Sequence, residues 1–343
     1  MNINFVTFNF SGGGNNNLFH LHKEAIKKKI NSNFICLSKT EIRNKSYFFK
    51  IITYFLSILK CMIFFLKFNF SSKKNELIIF SDPLICFISI LVPKKKRIFY
   101  AQSDDFNLHI IQDGHPKIFI LIHKLIVKIN NIYNYRIVLA NSSYIQSVYL
   151  KFHKVVKIVY PITNVPIQFV NTSYLYKKKI LKKKKLIVGT IGRRHKRKGL
   201  NDFLYLSKMF KYKFEFVILS DEITSKYKNI KTHNPKNKYE FFKSFSSFDI
   251  FISTSSFEGF GLPILEALKL GIPVIAMKNG SINELKYKET VKIYKDPKDA
   301  YKLLKEIYED RQILCSRQNS TLKNSKRFTK AISFQSLYSS LLS

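Results

Sequence analysis

Apolar residues along this chain fall into short runs separated by longer amphipathic stretches. Residues 3–10 (INFVTFNF) alternate as a half-buried strand does, and strand-like pieces recur at 77–80, 97–101, 136–140 and 155–159. A second series occupies 186–191, 214–219, 249–253, 273–276 and 290–294. Helical patterns lie between the strands, among them Leu18–Ile30, 299–314 and 327–342. Strands that alternate with helices predict parallel, doubly wound sheets, and two such series predict two α/β domains. Periodicity is lost over 165–185, which ends in lysine runs at 177–179 and 182–185. The expected division is therefore a domain at 1–165, a linker at 166–185, a second domain at 186–326 and a closing helix at 327–343.

The length of 343 residues and 46% hydrophobic content suffice for two cores of ordinary size. Charge adds something else. Lys and Arg number 59 against 22 acids, a formal net charge of +37. Such an excess attracts anions, whether nucleic acid, an anionic membrane face or phosphorylated substrates. Lys, Asn, Ile and Phe are all abundant, so the charge alone does not choose among them. No helix-turn-helix, RNP-like or zinc motif accompanies it, which weakens a nucleic-acid-binding reading. Cys36, Cys61, Cys86 and Cys315 are scattered without a C-x-x-C pair, a pattern that fits a reducing cytosol and argues against zinc. The first residues lack a charged segment followed by an apolar run, so a secretory leader is not expected.

The most hydrophobic stretch is 48–68 (FFKIITYFLSILKCMIFFLKF), interrupted by Lys50, Lys60 and Lys67. Those lysines disfavour a membrane span and leave two readings: a helix packed on the first sheet, or one lying in a membrane interface. Basic runs at Lys27–Lys29, Lys73–Lys74 and Lys94–Arg97 would strengthen contact with anionic lipid.

Chemistry concentrates in Ser253–Leu285. A short strand ending at Ser253 enters a loop carrying Glu258, Gly259, Phe260 and Gly261, and a helix is expected to open at Pro263 and close at Gly271. In a parallel sheet this loop lies at the carboxyl ends of the strands, where open α/β sheets bind ligands. The amides of 260–264 and the helix dipole form an anion site, while Glu258 and Glu266 beside it suit sugar hydroxyls. Earlier, the strand Leu186–Ile191 runs into Gly192-Arg193-Arg194-His195-Lys196-Arg197-Lys198-Gly199, a second anion trap. Near the start, Gly12, Gly13 and Gly14 follow the first strand and form a backbone-lined turn for phosphate or sugar, without the G-x-G-x-x-G order of a dinucleotide site. Asp104, Asp105 and His109 follow the strand ending at Ala101, where they can meet an acceptor hydroxyl or simply occupy a surface loop. There is no H-E-x-x-H and no D-x-D after a strand, so no metal is expected.

Together Glu258, the intervening GFGLPIL and Glu266 resemble the E-x7-E signature of glycosyltransferase family 4, retaining enzymes of the GT-B fold with two Rossmann-like domains facing across a cleft. Gly192 to Gly199 is similar to the family's G-R-x4-K-G, with Arg193 and Lys198 at its cationic positions, and Gly12–Gly14 looks like its N-terminal glycine loop. The resemblance implies that Arg193 and Lys198 hold a donor diphosphate and that Glu258 contacts the donor sugar. The backbone of Gly259, Phe260, Gly261 and Leu262 would contact sugar and diphosphate, and Glu266 the ribose. It also implies a nucleotide-diphosphate sugar as co-substrate, no cofactor, a closing helix that crosses back to the first domain, and a glycan or lipid-linked glycan acceptor. A bacterial surface polysaccharide made at the cytoplasmic face of the inner membrane would suit such a basic chain. A sugar-nucleotide 2-epimerase shares the fold and is the rival enzyme. A non-enzymatic nucleic-acid binder is the rival suggested by charge.

Overall fold

The computed structural model of the chain describes residues 1–9, 13–38, 56, 58–68, 75–82, 85, 88–107, 117–132, 135–171, 180–193, 195–220, 223, 229–286 and 290–342. The chain forms two compact units. The first takes the chain up to Ile110, then Gly114–Ile162 and Phe328–Ser343, and the second takes Thr163–Arg327.

The first unit is built on six parallel strands: β1 (Asn2–Asn9), β2 (Asn31–Ser38), β3 (Glu76–Phe80), β4 (Arg97–Ala101), β5 (Ile137–Ala140) and β6 (Val156–Ile158). Their order in the sheet is β2-β1-β3-β4-β5-β6. Its helices are α1 (Gly13–Lys27), α2 (58–68), α3 (Lys117–Ile132), α4 (Ser143–Tyr149) and the last of the chain, α11 (Lys330–Leu342). One face of the sheet packs against α1 and α11, where Leu18, Leu21, Leu337 and Leu341 meet Ile3, Phe5, Ile79 and Leu139. Cys61 and Phe65 of α2 and Ile145 and Tyr149 of α4 pack the other face, over Phe80, Phe99 and Val138. The chain moves the same way across the sheet from β2 to β3 as it does from β4 to β5, so right-handed crossovers place α3 on the α2 side as well.

The second unit repeats the plan with β7 (Leu186–Ile191), β8 (Phe214–Leu219), β9 (Ile230–His233), β10 (Ile250–Ser253), β11 (Val274–Met277) and β12 (Val291–Tyr294), in the order β12-β11-β10-β7-β8-β9. Its helices are α5 (Leu200–Met209), α6 (Lys238–Phe245), α7 (Leu262–Leu270), α8 (Ile282–Leu285), α9 (Pro297–Glu309) and α10 (Gln312–Ser325). Asp249 fixes the sheet near its amino ends: one carboxylate oxygen accepts from the Ile187 amide at 2.7 Å and from Lys183 Nζ at 2.6 Å. Ile180, inside the stretch expected as a linker, is fully buried in this unit's core.

Several expectations change in detail. The first helix starts at Gly13, five residues before the expected Leu18, and ends at Lys27. The single helix expected over 299–314 is two, because Asp310 takes an extended backbone (φ −132°) and its carboxylate caps the Gln312 amide. β2 and β9 are not among the expected strands: IKTH holds a single apolar residue, and in NSNFICLS the run Phe34–Leu37 is short and only partly buried. Among the described residues no helix is long and apolar enough to cross a membrane. Residues 48–55 and 57 of the apolar stretch lie outside the described residues.

Candidate functional site

In the second unit the strand order turns back between β7 and β10: β8 and β9 lie beyond β7, and β11 and β12 beyond β10. Ligands of doubly wound sheets bind outside the carboxyl ends at such a switch point. The two segments singled out by their chemistry leave those two ends.

After β7 comes Gly192-Arg193, then a turn of 3-10 helix over Lys196–Lys198, then Gly199 and α5. Gly199 sits at φ +59°, and a Cβ there would lie 2.1 Å from the Thr254 carbonyl oxygen, so only glycine fits. The close approach ties the two loops. Thr254 Oγ1 donates to the Lys198 carbonyl at 2.5 Å, and the Ser256 amide donates to the Arg197 carbonyl at 2.9 Å. After β10 the loop runs through Glu258 to Gly261, which caps α7 at φ +90°, and Gly271 closes that helix at φ +74°. These are the two positions where a left-handed residue is required at each end of a short helix.

The anion-facing amides are fewer than the sequence suggests. Pro263 has no N–H, and the Ile264 and Leu265 amides are spent on the Gly261 carbonyl. Of the expected amides 260–264, this takes away Pro263 and Ile264.

Lys198 and Glu258 meet across the switch point. Lys198 Nζ lies 2.5 Å from Glu258 Oε1, with the two side chains 16% and 14% exposed. The sequence assigns one to phosphate and the other to sugar, and nothing in their spacing of 60 residues announces that they pair. Arg193 is half-buried beside them in the chain, Lys196 is exposed, and Arg194 lies outside the described residues.

Glu266 stands in the second turn of α7, and its Oε1 accepts from Thr163 Oγ1 at 3.0 Å. Lys269 Nζ donates in turn to the Thr163 carbonyl at 3.1 Å. Burial pushes the Glu266 carboxyl up to about 7, against the downward pull of the Thr163 hydroxyl and then of Lys269 and Lys238. A proton is therefore held near neutrality by a group the sequence treats as a plain carboxylate.

Asn279 is a residue sequence reasoning missed. It follows β11, donates to the Ser255 carbonyl at 3.1 Å, and accepts from the Ser281 amide and hydroxyl at 3.2 and 3.1 Å. It thus holds the Glu258 loop against the next loop of the sheet. An Asn two residues past a strand and directly before Gly280 is a turn signal that could have found it.

The first-unit candidates fare differently. Gly13 and Gly14 are the opening residues of α1 instead of a loop, and Gly12 lies outside the described residues. Asp104 and Asp105 are buried, not part of a surface loop. Asp104 accepts from Tyr144 Oη at 2.9 Å and from Asn107 Nδ2 at 2.6 Å, while Asp105 accepts from Tyr149 Oη at 2.8 Å and Ser103 Oγ at 2.5 Å. Burial raises the Asp105 carboxyl to about 6, with the Ser103 and Tyr149 hydroxyls pulling it down. Both aspartates anchor the post-β4 segment to α4. His109 lies outside the described residues. Among the described residues no cluster of three His, Cys, Asp or Glu could hold a metal ion, and Cys36, Cys61 and Cys315 form no disulfide.

Comparison with known proteins agrees with this geometry. Residues 175–327 match the family described as Glycosyl transferases group 1. No curated protein matches the chain. Among solved structures, sucrose-phosphate synthase from Thermosynechococcus elongatus superposes with a TM-score of 0.77 at 14% identity, over 99% of this chain and 98% of that one. HepE from Anabaena, solved in complex with UDP, gives 0.72 at 14% identity over 100% of both chains. WaaG, a glycosyltransferase involved in lipopolysaccharide biosynthesis, gives 0.64 at 10% identity over 94% of this chain and 95% of that one. At these identities the likeness establishes the architecture: the chain has the two-domain α/β GT-B fold.

Proposed function

We propose that the protein is a retaining glycosyltransferase of family 4 type that moves a sugar from a nucleotide-diphosphate sugar to a growing glycan. One observation carries the reading: the Lys198–Glu258 pair straddles the switch point between β7 and β10, with the amino end of α7 beside it. The match of residues 175–327 to a glycosyltransferase family supports it. So does the likeness to HepE, which has been crystallised with UDP-glucose as well as UDP.

In this reading the donor binds in the second unit. Arg193 and Lys198 neutralise the diphosphate together with the Gly259–Leu262 backbone, a preorganised electrostatic site that needs no metal. Entry of the donor replaces the Lys198–Glu258 contact. The ammonium turns to the phosphates, and Glu258 is released to the sugar hydroxyls and to the carbon where positive charge develops. Glu266 receives the ribose. An acceptor hydroxyl attacks that carbon from the side the phosphate leaves. The carbon–phosphate oxygen bond breaks as the new glycosidic bond forms, and the acceptor proton passes to the departing phosphate oxygen. The acceptor belongs to the first unit and is a lipid-linked glycan of a bacterial surface polysaccharide, which places the protein at the cytoplasmic face of the inner membrane.

A panel of nucleotide sugars tests this through thermal unfolding, since a ligand that binds only the folded chain raises its apparent stability. One donor should protect the wild type, its turnover should require an acceptor and survive EDTA, and Glu258→Gln should lower kcat more than it raises KM. Donor consumed without acceptor would indicate the epimerase, and protection by none of the panel would end the proposal.

A further inference from the structure

Most of the large apolar side chains that stay exposed among the described residues of the first unit lie on one side. On α2, Leu59, Met62, Ile63 and Leu66 are each 40–46% exposed, while Cys61, Phe65 and Phe68 point into the core. On α3, Leu121, Leu125 and Ile132 are 62%, 57% and 72% exposed, although Val127 of the same helix is buried. Beyond α4, Leu150, Phe152 and Val155 are exposed too. The cations interleave with them: Lys60 and Lys67 on α2, Lys124 and Lys128 on α3, and Lys151 and Lys154 after α4 all face solvent.

Acids are missing from this surface. None of the segments 58–68, 117–132 and 143–157 contains a single Asp or Glu. Asp104 and Asp105 nearby are buried, and Asp82 is half-buried. A pocket of about 340 Å³ opens between α3 and the Phe106–Phe152 pair, whose rings stack at 4.5 Å, and Lys124 and Lys128 stand at its wall.

We infer that the outer surface formed by α2, α3 and the segment after α4 is a docking face for an anionic lipid bilayer. Aliphatic side chains enter the acyl boundary, and lysines on the same surface meet the phosphate headgroups above it. A soluble partner protein would be expected to present carboxylates to so many lysines and to find some in return. A nucleic acid would find lysines but few exposed rings, since the outward residues of α2 and α3 are Leu, Ile and Met. The pocket gives an acyl chain a hollow beneath a cationic rim. The opposite side, formed by α1 and α11, also exposes Ile26, Ile332, Tyr338 and Leu342 near Lys27, Lys28 and Lys29, and differs in carrying an acid, Glu24, among them.

This identifies the surface for the membrane placement proposed above, and it can be measured without donor or acceptor, so its failure and that of the transfer reaction are separable. The chain contains no Trp. A single introduced Trp is therefore the sole indole reporter. Leu125→Trp and Ile63→Trp, mixed with phosphatidylglycerol-containing vesicles carrying brominated acyl chains, should be quenched, whereas Ile26→Trp should not. Lys124→Gln with Lys128→Gln should weaken binding to those vesicles roughly 30-fold at low salt, from about 1 kcal/mol per lysine near an anionic surface. Pure phosphatidylcholine should bind far more weakly. Equal quenching at position 26, equal binding to neutral and anionic vesicles, or no binding at all would overturn the inference. A lipid-free dimer that Leu125→Ser dissolves would overturn it as well, by showing that a second copy covers the face. Thermal unfolding of each variant matching the wild type ensures that these readings concern the surface alone.

Discussion

The two units share a plan, six parallel strands between helices, yet they place their polar groups in opposite ways. In the second unit polar side chains gather at the carboxyl ends of the central strands, where Lys198, Glu258, Thr254 and Asn279 hold the loops after β7, β10 and β11 to one another. In the first unit the comparable carboxylates, Asp104 and Asp105, are buried and satisfied by tyrosines, while the outside of α2 and α3 is left to leucine and lysine. Most of the chain's 22 acids also fall in the second unit. The lesson is that a net charge of +37 has no single meaning here. In the second unit Lys198 is held against Glu258, and in the first Lys60, Lys67, Lys124, Lys128, Lys151 and Lys154 are spread over a surface; as proposed above, the one serves a small anion and the others an extended one.

Breaking the fixed cations should have the largest effect. Lys198→Ala and Arg193→Ala are each expected to lower donor turnover by about 10- to 1000-fold, the range for losing one charge-stabilising group, while Lys196→Ala should change it little. Steady-state kinetics decide the matter, and near-wild-type activity in both Lys198→Ala and Arg193→Ala would erase the contrast between held and spread charge.

A smaller effect is expected from Glu266. Its carboxyl has an ordinary value of 4.5 and is raised to about 7 in the folded chain. The folded state then binds a proton that the unfolded state has released, so this contribution is full below about 4.5 and is lost as pH climbs through about 7. The shift corresponds to at most about 3 kcal/mol, reduced because solvent reaches the half-buried side chain. Glu266→Gln should flatten the fall in melting temperature over that interval. An unchanged pH profile would show that burial does not perturb this group.

Smallest is Tyr149→Phe in the first unit, which removes a hydroxyl from the buried Asp105 carboxylate. About 1 kcal/mol of stability should be lost, seen in chemical denaturation, with donor protection untouched. A change in donor affinity would mean that Asp105 serves the reaction and is not only scaffolding.

Much of this was legible beforehand, for a physical reason. β4, β7 and β8 are buried on both faces, and their apolar runs marked them to the residue at 97–101, 186–191 and 214–219. The α7 unit was legible because Gly261, Pro263 and Gly271 each answer a local backbone demand that the chain cannot hide. What escaped were facts of tertiary proximity. Glu266 meets Thr163, 103 residues away, and no local pattern records that. Asp104 and Asp105 looked like loop residues because their burial depends on Tyr144 and Tyr149, which belong to a different helix. Strand β9 escaped because IKTH has one apolar residue, and β2 because its apolar run Phe34–Leu37 is short and flanked by polar residues.

The return of α11 to the first unit has a consequence for how the chain is made. Phe334, Leu337 and Leu341 fill the same core as Ile3, Phe5 and Leu18, and the Arg136 guanidinium donates to the Leu341 carbonyl at 2.8 Å. On the ribosome, the uninterrupted segment Thr163–Arg327 can close its core as soon as it emerges. The unit begun first must wait with one side of its sheet partly bare until residues 328–343 appear. A stop codon placed just after Arg327 would therefore leave the later-born half sound and cripple the older one.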